Sequence, residues 1–286
     1  MVWTTNVRPV IADVYFNSGQ AYADQGNPGA GIALYLDALK LQSDVDIYYL
    51  RLSEAYAGLA ETATDAQQKN AWFEAAREAA WRAWQLNPEQ TYHELNLAHV
   101  YLLWAQAAED PNIQTAALDQ AAPLYADASR VLRYDPKLFR EWGLVLQLQG
   151  DREGALAQYR TSLNLDDKQA DTYRLLGYLY RDLGKLTEAE QALEQAAKLK
   201  PNRVDVYVTL GEIYESQGRL EEALASAQKA VGLAPRDYRL HLNLGLVYRE
   251  MGRTDEAAEA VRRALTYAPE DEKSRLETLL SELEGQ

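Results

Sequence analysis

Residues 170–203 read ADTYRLLGYLYRDLGKLTEAEQALEQAAKLKPNR, and this stretch decides the fold. Tyr173, Leu176, Gly177 and Tyr180 fall at i, i+3, i+4 and i+7, the spacing that stripes one face of a helix. Gly184 follows, a residue able to take positive φ and end that helix. Ala189, Leu193, Ala196 and Leu199 stripe a second helix, which Pro201 stops. The segment is therefore a helical hairpin. Small residues at Gly177, Ala189 and Ala196 let its arms approach at the short end of the roughly 8–10 Å interaxial range.

The pattern returns on both sides of this hairpin. Gly143 with Gly150, Gly177 with Gly184, Gly211 with Gly218 and Gly245 with Gly252 are pairs seven apart, each pair 34 residues after the last. Ala155, Ala189, Ala223 and Ala257 keep the same step, as do Ser162, Ala196, Ala230 and Ala264, and then Pro201, Pro235 and Pro269. Regular units run 136–169, 170–203, 204–237 and 238–271. Toward the N-terminus, residues 12–45 fit with Gly31 in place of the usual alanine. Units 46–90 and 91–135 fit if each carries about eleven extra residues, near Ala60 to Asn70 and near Ala105 to Thr115. Equal insertions at one point in adjacent units predict a single variant, a longer hairpin, used twice.

A hairpin of this size cannot cover its own apolar face, so the ends of the array need protection. Residues 272–286 are expected to form a capping helix through Leu276, Leu279, Leu280 and Leu283. Residues 1–11 are expected to be a lead-in, with Val7, Val10 and Ile11 as a thin lid.

Over residues 12–271 the order of aromatic, Leu, Gly, Tyr, Ala, aromatic, Ala and Pro resembles the tetratricopeptide repeat family. That resemblance implies an all-α fold, a right-handed α-solenoid of seven hairpins plus the C-terminal cap. It also implies a non-catalytic adaptor that binds a protein or peptide on a concave surface made by the first helix of each hairpin. The positions turned into such a surface hold Asn96 and His99 in the third unit, Lys137 and Arg140 in the fourth, and Arg174, Tyr178 and Arg181 in the fifth. Their cationic bias suits carboxylates of an acidic peptide or polymer. The competing reading is that Glu141, Asp171 and Asp182 neutralise them as exposed pairs worth about 0–1 kcal/mol each. Some family members hold C-terminal tails through a carboxylate clamp. Phe16 with Gln20, Leu50 with Glu54, and Arg140 with Leu144 depart from that pattern at its first step, so no such clamp is expected.

A second likeness is shorter. Leu86-Asn87-Pro88, His93 to Ala98 with Tyr101 and Trp104-Ala105, and Phe139-Arg140-Glu141-Trp142-Gly143 resemble the tetratricopeptide region of bacterial O-antigen ligase or polymerase-like membrane proteins. It implies a bacterial origin and a soluble domain that positions partners for surface-glycan assembly.

Composition narrows the partners. With 29 Lys plus Arg against 43 Asp plus Glu the net charge is -14, which repels phosphate backbones and anionic lipid. Neither nucleic acid nor membrane insertion is expected. No stretch offers about 18 uncharged apolar residues, so the chain is expected to be soluble, and cytoplasmic unless tethered to a membrane portion outside it. The absence of cysteine excludes thiolate nucleophiles, disulfides and cysteine-ligated metal.

No cofactor, metal or catalytic site is expected. His93 and His99 lie about 240° apart on a helix and point to different faces. Glu221-Glu222 and Asp255-Glu256 stand at the starts of second helices, where they favour the positive helix end. The run Gly26-Asn27-Pro28-Gly29-Ala30-Gly31 follows a helix and lacks the Lys-Ser/Thr pair of a phosphate loop. Tyr22, Tyr56, Tyr101, Tyr180, Tyr214 and Tyr248 share one repeat position and are expected in the core, whereas Trp72, Trp81, Trp84 and Trp104 are expected to pack the longer hairpins and Trp3 stands apart.

Overall fold

Each sequence signal for a hairpin becomes a pair of packed helices in the computed structural model, which describes residues 7–285. In chain order the helices are α1 (Arg8–Asp24), α2 (Pro28–Leu41), α3 (Asp46–Thr62), α4 (Ala66–Leu86), α5 (Thr91–Ala107), α6 (Pro111–Val131), α7 (Pro136–Gln149), α8 (Arg152–Leu165), α9 (Ala170–Asp182), α10 (Leu186–Leu199), α11 (Val204–Ser216), α12 (Leu220–Leu233), α13 (Tyr238–Glu250), α14 (Thr254–Tyr267) and α15 (Glu270–Glu284). No strand occurs among the described residues. The chain divides into two compact units, Met1–Leu165 and Asp166–Gln286.

In the first unit α1 to α8 pair as four hairpins, and the first helix of each later hairpin also packs on the second helix of the one before. In the second unit α9 to α14 form three hairpins in the same way, and α15 packs on α14. Leu276 and Leu283 are buried there beside Val261 and Ala264, with Leu279 and Leu280 against the same cluster. The cap helix starts at Glu270, two residues ahead of the expected boundary.

The arms meet where the sequence has small residues. A Cβ built on Gly177 would lie 2.6 Å from Leu193 Cγ, and one on Gly245 would lie 3.0 Å from Val261 Cγ2. Gly211 takes the same place against α12, but there the nearest atom is 3.8 Å away because Ala227 stands where Leu193 and Val261 stand in their hairpins. The turn glycines act differently. Gly184, Gly218 and Gly252 adopt φ of 71°, 71° and 73°, and the following N–H donates back to the carbonyl of Tyr180, Tyr214 or Tyr248 at 2.9 Å.

The two lengthened hairpins are one design repeated. α3 and α5 each have 17 residues, and α4 and α6 each have 21. Both turns dispense with glycine: Ala63 and Ala108 are extended, and Asp65 and Asp110 cap the next helix by accepting from Gln68 N at 2.7 Å and Asn112 N at 2.8 Å. Trp104 Nε1 donates to Asn70 Oδ1 at 2.9 Å and stacks on Phe73, while Trp72 stacks on Tyr56, so aromatics fill the added length. Trp84 packs in the cluster of Ala76, Ala80 and Val100, whereas Trp81 is exposed and packs less than expected.

Three expectations need correction. Arg8–Ile11, read as lead-in, belong to α1, because Pro9 is pre-set for the first turn of a helix. Val7, Val10 and Ile11, read as a lid, are exposed. Trp3 and the rest of residues 1–6, like Gln286, lie outside the described residues. Last, the shared tyrosine position is not a uniform core position: Tyr214 is buried, Tyr56, Tyr101, Tyr180 and Tyr248 are half-buried, and Tyr22 is exposed. These rings sit at a helix end, where an arginine can lie over the face, as Arg219 does on Tyr214 at 4.5 Å and Arg253 on Tyr248 at 4.7 Å. The fully buried tyrosines include Tyr35 and Tyr159, whose rings fill the space that Gly19 and Gly143 leave open.

Candidate functional site

In the first unit three of the four expected groove residues, His99, Lys137 and Arg140, converge on one carboxylate. Lys137 and Arg140 are on α7 with Glu141, and Asn96 and His99 are on α5, which packs against α7. His99 Nδ1 is 3.3 Å from Glu141 Oε2, and Lys137 Nζ and Arg140 Nη2 are each 3.6 Å from Oε1. The Tyr125 hydroxyl, on α6, donates to Oε2 at 3.1 Å. Glu141 is only 8% exposed, so its charge is sustained by these neighbours. Burial pushes its pKa up, but the neighbouring His99 ring and the charges of Lys137 and Arg140 outweigh that and hold it below the usual carboxylate range. Burial and the same carboxylate push Tyr125 well above the usual phenol range, so its proton stays and donates. Asn96 stands apart, accepting from Ser53 Oγ at 3.3 Å.

In the second unit Arg174, Tyr178 and Arg181 occupy one face of α9 at i, i+4 and i+7. Both guanidinium carbons lie over the Tyr178 ring, 5.4 and 5.6 Å from its centroid. The Tyr178 hydroxyl donates to Asp205 Oδ2 at 3.0 Å. Arg174 also approaches Asp171 at 3.9 Å and Asp205 at 3.6 Å, and Arg181 pairs with Asp182 at 3.1 Å and Glu212 at 3.2 Å. Arg203 grips Asp205 with both ends of its fork, at 3.0 and 2.8 Å. That grip comes first among the causes that hold the Asp205 pKa at about 2, helped against burial by the Tyr178 hydroxyl and Arg174. Burial and the Asp205 charge raise the Tyr178 phenol.

The cationic bias is therefore largely matched within each unit. Glu141, Asp171 and Asp182 were legible as neutralising partners, whereas Asp205 and Glu212 were not, since they sit on the next hairpin's first helix. Sequence reasoning also missed a cleft of about 630 Å³ in the first unit, lined by Gln20, Asp24, Tyr35, Arg51, Glu54 and Thr62 among others. It lies between the first helices of the first two hairpins, and Arg51 donates to Glu54 across one helical turn at 2.6 Å. The packing of α1, α2 and α3 together creates it.

The remaining polar clusters are structural. His93 Nε2 and Asn87 Nδ2 lie 2.8 and 3.1 Å from Asp46 Oδ2, joining the starts of α3 and α5 to the end of α4. His241 Nε2 is 2.9 Å from Pro235 O. Glu222 and Glu256 are taken by Arg219 and Arg253. Asn27 caps α2 by accepting from Ala30 N at 3.2 Å. Among the described residues no group of His, Asp and Glu is placed to hold a metal ion, and no helix is long and apolar enough to cross a membrane.

The tetratricopeptide repeat models match residues 12–45 and, in overlapping spans, 140–204, 174–238 and 208–274. No curated protein matches the chain significantly. Among solved structures it is similar to TTC0263, a thermophilic TPR protein in Thermus thermophilus. That match has 24% identity and a TM-score of 0.53, covering 71% of this chain and 98% of that one. It is also similar to YrrB, described as a TPR protein with an unusual peptide-binding site, at 20% identity and a TM-score of 0.54 over 68% and 94% of the two chains. MamA matches at 24% identity and a TM-score of 0.51 over 56% and 93%. At these identities the likeness is one of fold.

Proposed function

Because the chain belongs to the tetratricopeptide repeat family, we propose that it is a non-catalytic scaffold that binds a protein or peptide segment along the first helices of its hairpins. The observation that carries this reading is the Arg174, Tyr178, Arg181 stack on α9, two guanidiniums over one half-buried ring. Such a stack offers a peptide cation, ring and hydrogen-bond partners in a fixed row. The pairs that now engage Arg181 are partly exposed, 37% against 43% and 51%, and such pairs are weak enough for an incoming carboxylate to replace.

An acidic segment is the partner this chemistry fits. Lys137, 60% exposed at its side chain and 3.6 Å from Glu141, adds an accessible cation on α7. The peptide-binding site described for the similar YrrB agrees with the reading. The test is binding of labelled acidic, neutral and basic peptides to the chain and to a variant with Arg140, Arg174 and Arg181 all changed to Ala.

The second reading, a soluble domain of a membrane protein of bacterial surface-glycan assembly, rests on the short motifs alone. Several of their residues have structural work: Asn87 and His93 hold Asp46, and Trp104 holds Asn70. Those bonds account for the motifs through packing, which favours the general scaffold.

A further inference from the structure

The cleft between α1, α2 and α3 has a feature that packing leaves unexplained. At about 630 Å³ it falls within the roughly 300–1,000 Å³ of small-ligand pockets. Gly58 lines it from inside α3, where glycine disfavours the helix. Gly177 and Gly245 lack a side chain because a neighbouring helix stands in the way, but a Cβ on Gly58 would meet nothing within 4 Å. The same repeat position holds Asp24, Leu103, Leu148, Asp182, Ser216 and Glu250 in the other hairpins. The missing side chain at Gly58 therefore opens the cleft rather than admitting another helix.

The charges lining the cleft do not balance: Asp24 and Glu54 are two carboxylates against the one cation of Arg51. Arg51 donates to Glu54 at 2.6 Å, and its Nε is buried without an acceptor among the described residues, so the chain itself does not complete the hydrogen bonding of this wall. Asp24, exposed on α1, enters no ion pair among the described residues. Burial raises the Tyr35 phenol; the charge of Arg51 then lowers it and those of Asp24 and Glu54 raise it, so all three charges bear on one hydroxyl. Between the charges the walls are apolar, at Ala23, Ala55 and Leu59. We propose that the cleft takes the side chain of a lysine or arginine carried by a partner protein or peptide. The aliphatic stem lies along Ala23, Ala55 and Leu59, and the charged head sits with Asp24 and Glu54. An anionic group would meet both carboxylates and the net charge of -14 instead. The proposal rests on the scaffold reading only in that a peptide carries the cation, and it uses none of the residues assigned to the acidic segment.

Anisotropy of labelled peptides on the whole chain tests it. The peptides share one neutral glycine-serine background and carry a single central arginine, citrulline or glutamate, citrulline keeping the shape of arginine without its charge. The arginine peptide should bind about tenfold tighter than the citrulline peptide, and high salt should narrow the gap. Asp24→Asn, at an exposed position, should weaken the arginine peptide about tenfold and leave melting unchanged. Gly58→Leu should abolish its binding by filling the cleft, whereas Gly232→Leu, at a helix glycine equally free of neighbours in the second unit, should bind like the wild type. The variant with Arg140, Arg174 and Arg181 changed to Ala should keep arginine-peptide binding, and Asp24→Asn should keep acidic-peptide binding, so the two readings fail separately. Equal binding of the arginine and citrulline peptides, or wild-type binding by Asp24→Asn and Gly58→Leu, would overturn the proposal. Free N-acetyl-arginine amide binding as tightly as the peptide would overturn the assignment of a segment as the carrier.

Discussion

Gly177 lies so close to Leu193 that a single added carbon would come within 2.6 Å of the leucine Cγ, whereas the equivalent Gly211 has 3.8 Å of room. One repeat position therefore makes opposite demands in two hairpins of one unit. Gly177→Ala is expected to overpack the hairpin and cost about 1–3 kcal/mol. Gly211→Ala is expected to be neutral or to stabilise by up to about 1 kcal/mol through helix propensity. Chemical denaturation midpoints check this: a fall for Gly211→Ala as large as that for Gly177→Ala would refute the packing account. Ala189→Leu and Ala223→Leu, at fully buried positions, should follow Gly177→Ala.

The lengthened hairpins depend on the Trp104 indole reaching Asn70. Asn70→Ala is expected to cost about 0.5–1.5 kcal/mol, and Trp104→Ala about 3–5 kcal/mol. A double-mutant cycle should show coupling between them. Strict additivity of the two losses would mean that the bond contributes nothing.

Acid should expose the Arg203 grip on Asp205. The folded pKa is depressed, to about 2 from an ordinary 3.8, so the stabilisation is fully present above the unfolded value and fades as pH falls from about 4 toward 2. Asp205→Asn should melt lower than wild type at neutral pH and converge with it near pH 2. Parallel melting curves across that range would contradict the assignment.

Glu141 is the counter-charge of the first unit. Glu141→Gln keeps an oxygen for Tyr125 but leaves Lys137, Arg140 and His99 without their shared anion. Acidic peptides are expected to bind this variant about fivefold tighter, roughly 1 kcal/mol, at low salt. Fluorescence anisotropy measures it, and weaker binding would place the acidic segment elsewhere.

The hairpins were legible because their determinants are local and repeated. Helix-ending glycines, the Gly177, Ala189 and Ala196 contact set and the Leu276 to Leu283 stripe each announce themselves within a few tens of residues. The shared face of Arg174, Tyr178 and Arg181 was legible from their spacing. Their electrostatics were not, because Asp205 and Glu212 come from the following hairpin and only packing sets the distances. The same holds for the cleft at Gln20, Arg51 and Glu54. The tyrosine position misled because one residue type serves two environments: Tyr35 and Tyr159 fill glycine gaps on second helices, whereas Tyr214 and Tyr248 lie under arginines at a helix end.

The most direct test of the binding account is anisotropy of labelled acidic peptides against wild type and the Arg140→Ala, Arg174→Ala, Arg181→Ala triple variant, with melting measured alongside. The account predicts loss of acidic-peptide binding by the variant while its cooperative unfolding is retained. Equal binding by the two proteins would contradict it.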